Sequence, residues 1–120
     1  MGAGVKTKML IMRPEAPNHK MEIELVKFPS YDTLKTLLTP IIGCKHIEHV
    51  SVLADFEGAT AFRRADMFVD EDGHAKGLPL NGNATEIYRR NALIHQGVKD
   101  PETLSWIAGT AVLFDRIVWT

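Results

Sequence analysis

Apolar and polar positions along the chain change period several times, and each change marks an element. Met9, Leu10, Ile11 and Met12 form an unbroken apolar run inside Val5–Arg13, which predicts a buried strand. Pro14 and Pro17 bracket a turn, because proline removes a donor and restricts the residue before it. Met21, Ile23 and Leu25 then alternate with Glu22 and Glu24, which predicts a half-buried strand and a hairpin with the first. Ser30 stands at a helix N-cap position with Asp32 in the first turn. Tyr31, Leu34, Leu37, Leu38 and Ile41 recur at helical spacing, and Gly43 is placed to close the helix.

A third strand is expected over Ile47–Asp55, with Ile47, His49, Ser51 and Leu53 on one face and Glu48, Val50, Val52 and Ala54 on the other. Glu57-Gly58 reads as a turn, and Ala61–Val69 as a fourth strand. Asp72-Gly73 reads as a hairpin tip, with a return arm over His74–Leu78 stopped by Pro79. Asn83, with Glu86 three residues on, fits a capping box opening a second helix. Its face would carry Ala84, Ile87, Tyr88, Asn91 and His95, and Gly97 would close it. A short helix beginning at Asp100-Pro101 follows, with Leu104, Trp106 and Ile107 on its buried side. Gly109–Trp119 is expected as the last strand.

The order is β-β-α-β-β-α-α-β. Strands and helices do not alternate regularly. The pattern therefore predicts an α+β fold, with a mostly antiparallel sheet of about five strands and two to three helices. One domain over residues 5–120 is expected, with residues 1–4 as a disordered tail. The chain has 120 residues, which suits a single core.

Composition narrows the functional classes. The formal net charge is −1 and the sequence pI about 6.5, which disfavours a dedicated nucleic-acid binder. A single cysteine, Cys44, excludes an intrachain disulfide and fits a reducing, cytoplasmic setting. Its place after a helix C-terminus reads as an inert thiol. No apolar run is long enough to span a bilayer, and the N-terminal residues lack the apolar stretch of a signal peptide.

Candidate chemistry is sparse. Asp70, Asp72 and Gly73 resemble the start of a calcium loop, but the later oxygen ligands are missing, so an acidic turn is the simpler reading. His46 and His49 fall on opposite faces of a strand. No metal and no cofactor is expected. Arg63-Arg64 and Arg89-Arg90 are basic pairs. Arg63 and Arg64 should face opposite ways, and Arg89 and Arg90 should lie on the solvent side of the second helix. Convergence of Arg64 and Arg89 would create an anion clamp. The stretch Lys76–Thr85 is the least generic part of the chain, dense in Gly, Pro and Asn yet carrying Leu78 and Leu80. A ligand groove, if present, is expected between this connector and the second helix, with Lys76, Asn81, Thr85 and Arg89 as its contacts.

The segment Met67-Phe68-Val69-Asp70-Glu71-Asp72-Gly73, then Lys76-Gly77-Leu78-Pro79-Leu80-Asn81 and Ala84-Thr85, resembles a family of small proteins of unassigned function. These occur in bacteria, on plasmids and in bacteriophages. Ile107-Ala108-Gly109-Thr110-Ala111-Val112-Leu113 is similar to that family's closing strand. The resemblance covers roughly residues 67–119 and implies a short cytoplasmic accessory protein of mobile elements, with no catalytic residues to carry over.

The sequence thus points to a non-catalytic binding module for a protein partner or a small ligand. One alternative is nucleic-acid binding through Arg63, Arg64, Arg89 and Arg90. Another is a small hydrolase using Asp70 or Asp72 with His74. The chain is expected as a monomer or a homodimer. An apolar last strand near Val118 and Trp119 would offer a pairing edge, unless the chain's own helices bury it.

Overall fold

A computed structural model describes residues 4–56 and 62–119. The expected Glu57-Gly58 turn, the start of the fourth strand at Ala61 and the first three residues of the expected tail lie outside them. The elements are β1 (Val5–Met12), β2 (His19–Leu25), α1 (Tyr31–Ile42), β3 (Ile47–Ala54), β4 (Arg63–Asp70), α2 (Gly82–His95), a single 3-10 turn (Pro101–Thr103) and β5 (Ala111–Phe114). They form one five-stranded sheet in the order β2-β1-β5-β4-β3, antiparallel throughout. The α+β class and the strand count match the pattern read from the sequence. The expected third helix is the single 3-10 turn.

The strand alternation sorts the core into two halves. Met9, Ile11, Phe68, Val112 and Phe114 point to the face covered by α1 and meet Leu34, Leu38 and Ile42. Met12, Val52, Met67, Ala111 and Leu113 point to the other face, toward Ala84 of α2. The sheet is therefore the middle of three layers. β4 and β5 are buried on both faces, which is why they read as near-continuous apolar runs.

Local signals bound α1 at both ends. The Thr33 N–H donates to Ser30 Oγ at 3.1 Å, and Gly43 takes a left-handed conformation (φ 78°) whose N–H reaches the Thr39 carbonyl at 2.8 Å.

Four expectations are corrected. The hairpin arm over His74–Leu78 does not form, because β4 already pairs with β3 on one side and β5 on the other. Residues 71–77 instead make a tight turn pinned by Asp70. The cap of α2 is Asn81, not Asn83, and its Oδ1 accepts the Ala84 N–H at 3.1 Å. Asn83 donates instead to Asn18 Oδ1 in the β1–β2 turn, and Glu86 pairs with Arg90 rather than closing a capping box. The last strand ends at Phe114. It is central in the sheet, so it offers no pairing edge. Beyond it the Asp66 carboxylate takes over from strand pairing, accepting the Val118 and Trp119 N–H groups at 2.8 Å each. The same carboxylate accepts His49 Nε2–H at 2.6 Å, and Trp119 packs against His49, Phe68 and Tyr31.

The two sheet edges are treated differently. At β3, the Asn91 side chain of α2 imitates a neighbouring strand: its Oδ1 accepts the Leu53 N–H (3.1 Å) and its Nδ2 donates to the Ser51 carbonyl (3.4 Å). At β2, Lys20, Glu22 and Glu24 supply charge along the outer strand, a common guard against edge pairing.

Candidate functional site

The connector between β4 and α2 holds the features that the sequence marks as least generic. Its shape comes from three anchors. Asp70, buried at the end of β4, accepts the Asp72 N–H at 2.8 Å and the Lys76 ammonium at 2.7 Å. The hydrogen bond that Lys76 donates to this carboxylate raises the Lys76 pKa above the ordinary lysine value. Gly73 packs so tightly that a Cβ would lie 2.7 Å from the Ala108 carbonyl oxygen. Asn81, 1% exposed, donates to the Met12 carbonyl at 2.8 Å and the Gly109 carbonyl at 2.9 Å while capping α2.

Beside this connector runs a groove of about 850 Å³. Leu78 and Leu80 of the connector line it with Thr85, Glu86, Arg89, Arg90 and Leu93 of α2 and with Pro101 and Trp106. Leu80, Leu93 and Trp106 are 55%, 48% and 46% exposed, so large apolar surface faces water there. Arg89 is half-buried on the groove wall, a correction to its expected solvent position. Its Nη2 donates to the Leu104 carbonyl at 2.9 Å, and its buried Nε has no acceptor. Arg90 pairs with Glu86 at 2.6 Å, and its guanidinium lies 5.9 Å from the Phe62 ring centroid.

The four expected contacts are thus divided. Thr85 and Arg89 line the groove. The Thr85 hydroxyl also accepts the Ile107 N–H at 2.9 Å, which ties α2 to the segment before β5. The Asn81 side chain is committed to the interior. Lys76 lines a separate hollow of about 310 Å³ with Arg13, Ile42 and Pro79. Leu80, Leu93 and Trp106 were missed as site residues. Their signal in the sequence is weak, because isolated exposed apolar residues are common.

The basic pairs do not form one patch. Arg64 shares a strand face with Asp66 and Phe68, on the α1 side, and donates to Ser51 Oγ at 2.9 Å. Arg89 and Arg90 sit on α2 across the sheet, so Arg64 and Arg89 do not converge. Asp70 and His74 line a small hollow of about 140 Å³ with Tyr88 and Ser105. His74 Nε2 lies 2.6 Å from the Trp106 carbonyl, which can only accept, so that nitrogen carries the proton. It is therefore not a base for Ser105, whose Oγ lies 3.4 Å away. Cys44 is half-buried. Burial first, and then the charge of Asp70, push its thiol pKa up, while Lys76 opposes them. No group of three His, Cys, Asp or Glu residues among the described residues is placed to hold a metal. No described helix is long and apolar enough to cross a membrane.

Fold and site together define a small three-layer α+β protein with an open apolar groove beside its second helix. Comparison with protein-family models, with curated proteins and with solved structures returns no match.

Proposed function

We propose that this chain is a non-catalytic binding module, and that the groove beside α2 receives a segment of a protein partner. The observation that carries the reading is the meeting of Leu80, Leu93 and Trp106, each about half exposed, along one groove. Contiguous apolar surface of this kind marks interaction sites. The groove is more open than enclosed. That suits a segment of chain lying on it better than a small molecule, which pockets usually enclose. The supports are also rigid: Asn81, Thr85 and Gly73 fix the connector against β1 and the residues before β5. On this reading the resemblance over residues 67–119 makes the chain an accessory protein of a mobile element that engages a host or defence component.

Selection of displayed random short peptides on the immobilised protein tests the reading. Enriched peptides should lose binding to Leu93→Asp and Leu80→Asp variants that keep the native circular dichroism spectrum. Peptides that bind these variants equally well, or no enrichment at all, would refute it.

A further inference from the structure

We infer that the segment entering this groove is acidic as well as apolar, and that Arg89 holds its carboxylate; the inference rests on the groove being the binding surface. Three observations carry it. First, Arg89 has no acidic partner within ion-pair distance among the described residues, whereas neighbouring Arg90 pairs with Glu86 at 2.6 Å. Second, its hydrogen bonding is incomplete. Nη2 donates to the Leu104 carbonyl at 2.9 Å, while Nε, shut away from water, and Nη1 have no acceptor among the described residues. Of these donors Nη1 is the one left for an incoming acceptor, and a charged guanidinium bonds a charged acceptor most strongly. Third, the charge of the groove is uneven. Leu78, Leu93, Pro101 and Trp106 line it together with Glu86 and Arg90, and because those two pair with each other, Arg89 is left as its uncompensated positive charge.

A carboxylate is the acceptor that fits. It accepts a charge-assisted hydrogen bond from Nη1, while Nη2 keeps its bond to Leu104. Leu104 itself follows the 3-10 turn, so that bond fixes the guanidinium from behind and limits its freedom before binding. Leu80, Leu93 and Trp106 would then take the apolar side chains that flank the acid. The occupant is therefore a peptide segment with an Asp or Glu set between large apolar residues. A basic or uncharged apolar segment would leave Arg89 buried deeper and still unpaired.

The same peptide selection reads the inference out by sequence. Groove-dependent peptides should carry Asp or Glu at a fixed offset from two apolar anchors. Replacing that acid by its amide should weaken binding to the wild-type protein about 10- to 100-fold, the range of one charge-assisted hydrogen bond. Against Arg89→Gln the acid and amide forms should bind alike. Groove-dependent peptides that lack an acid, or that lose nothing on amidation, would overturn the role of Arg89 and leave the groove reading standing. Absence of any groove-dependent peptide would overturn both. Because the amide exchange is made on the peptide, the test does not depend on the Arg89 variant folding.

Discussion

Asn81 is the residue on which the connector turns. Its replacement by alanine separates an architectural role from a ligand-binding one. The side chain makes three hydrogen bonds at 1% exposure: Nδ2 to the Met12 and Gly109 carbonyls, and Oδ1 from the Ala84 N–H. Losing the cap costs about 1 kcal/mol. Each buried carbonyl deprived of its donor costs at least about 1 kcal/mol. The expected destabilisation is therefore about 3 kcal/mol. With an unfolding entropy of about 2.1 cal/mol/K per residue over 120 residues, each kcal/mol lowers Tm by about 4 °C, so Asn81→Ala should melt about 12 °C lower. Thermal melts and urea titrations followed by far-UV circular dichroism measure both quantities. Asn81→Ser keeps a capping oxygen but loses the reach to both carbonyls, and should fall between wild type and alanine. Asn81→Asp keeps the cap but turns a carboxylate toward two carbonyl oxygens. It should be at least as damaging as alanine at neutral pH and recover in part as the pH is lowered and the acid protonates. A loss of under about 4 °C for Asn81→Ala would refute the claim that this amide holds the connector.

Other outcomes follow from the same geometry. Gly73→Ala places a Cβ 2.7 Å from the backbone carbonyl of Ala108, and should cost about 1–3 kcal/mol in a urea titration. Asp66→Ala orphans the Val118 and Trp119 N–H groups together with His49; it should lower Tm and weaken the near-UV signal of Trp119, and an unchanged near-UV spectrum would refute the latch. The raised Lys76 pKa has a definite sign. Below the lysine pKa of the unfolded chain, the contribution of the Asp70–Lys76 pair to stability is complete, and it disappears as the pH climbs through the higher folded value. Wild type should therefore lose more stability than Lys76→Met across that alkaline range, as read by urea titrations at a series of pH values. Cys44, with its thiol pKa pushed up by burial, should be alkylated by iodoacetamide more slowly than free cysteine at mildly alkaline pH.

Much of this architecture can be read along the chain because its signals are short-ranged. Ser30 and Gly43 bound α1 through partners three or four residues away, so their meaning does not depend on the rest of the molecule. The apolar run of β1, the period-two alternation in β2 and β3, and the turn at Pro14–Asn18 likewise follow from local sterics and the need to bury apolar faces. The irregular connector before α2 was also legible, because Gly, Pro and Asn there disfavour a regular element.

What the sequence could not settle is which of two equivalent residues the fold would use. Asn81 and Asn83 both suit a cap; Asn81 is chosen because the Met12 and Gly109 carbonyls, 69 and 28 positions away, hold its amide. Asp72-Gly73 suits a hairpin, but the edge its return arm needs belongs to β5, which arrives only at the end of the chain. Arg89 and Arg90 look alike in sequence, yet Glu86 neutralises one while the Leu104 carbonyl draws the other into an apolar groove. Composition and periodicity determined the layers and most of their elements, since hydrophobic burial acts on pattern. Tertiary structure alone decided the cap of α2, the strand order and the environment of Arg89, since each depends on where distant groups come to rest.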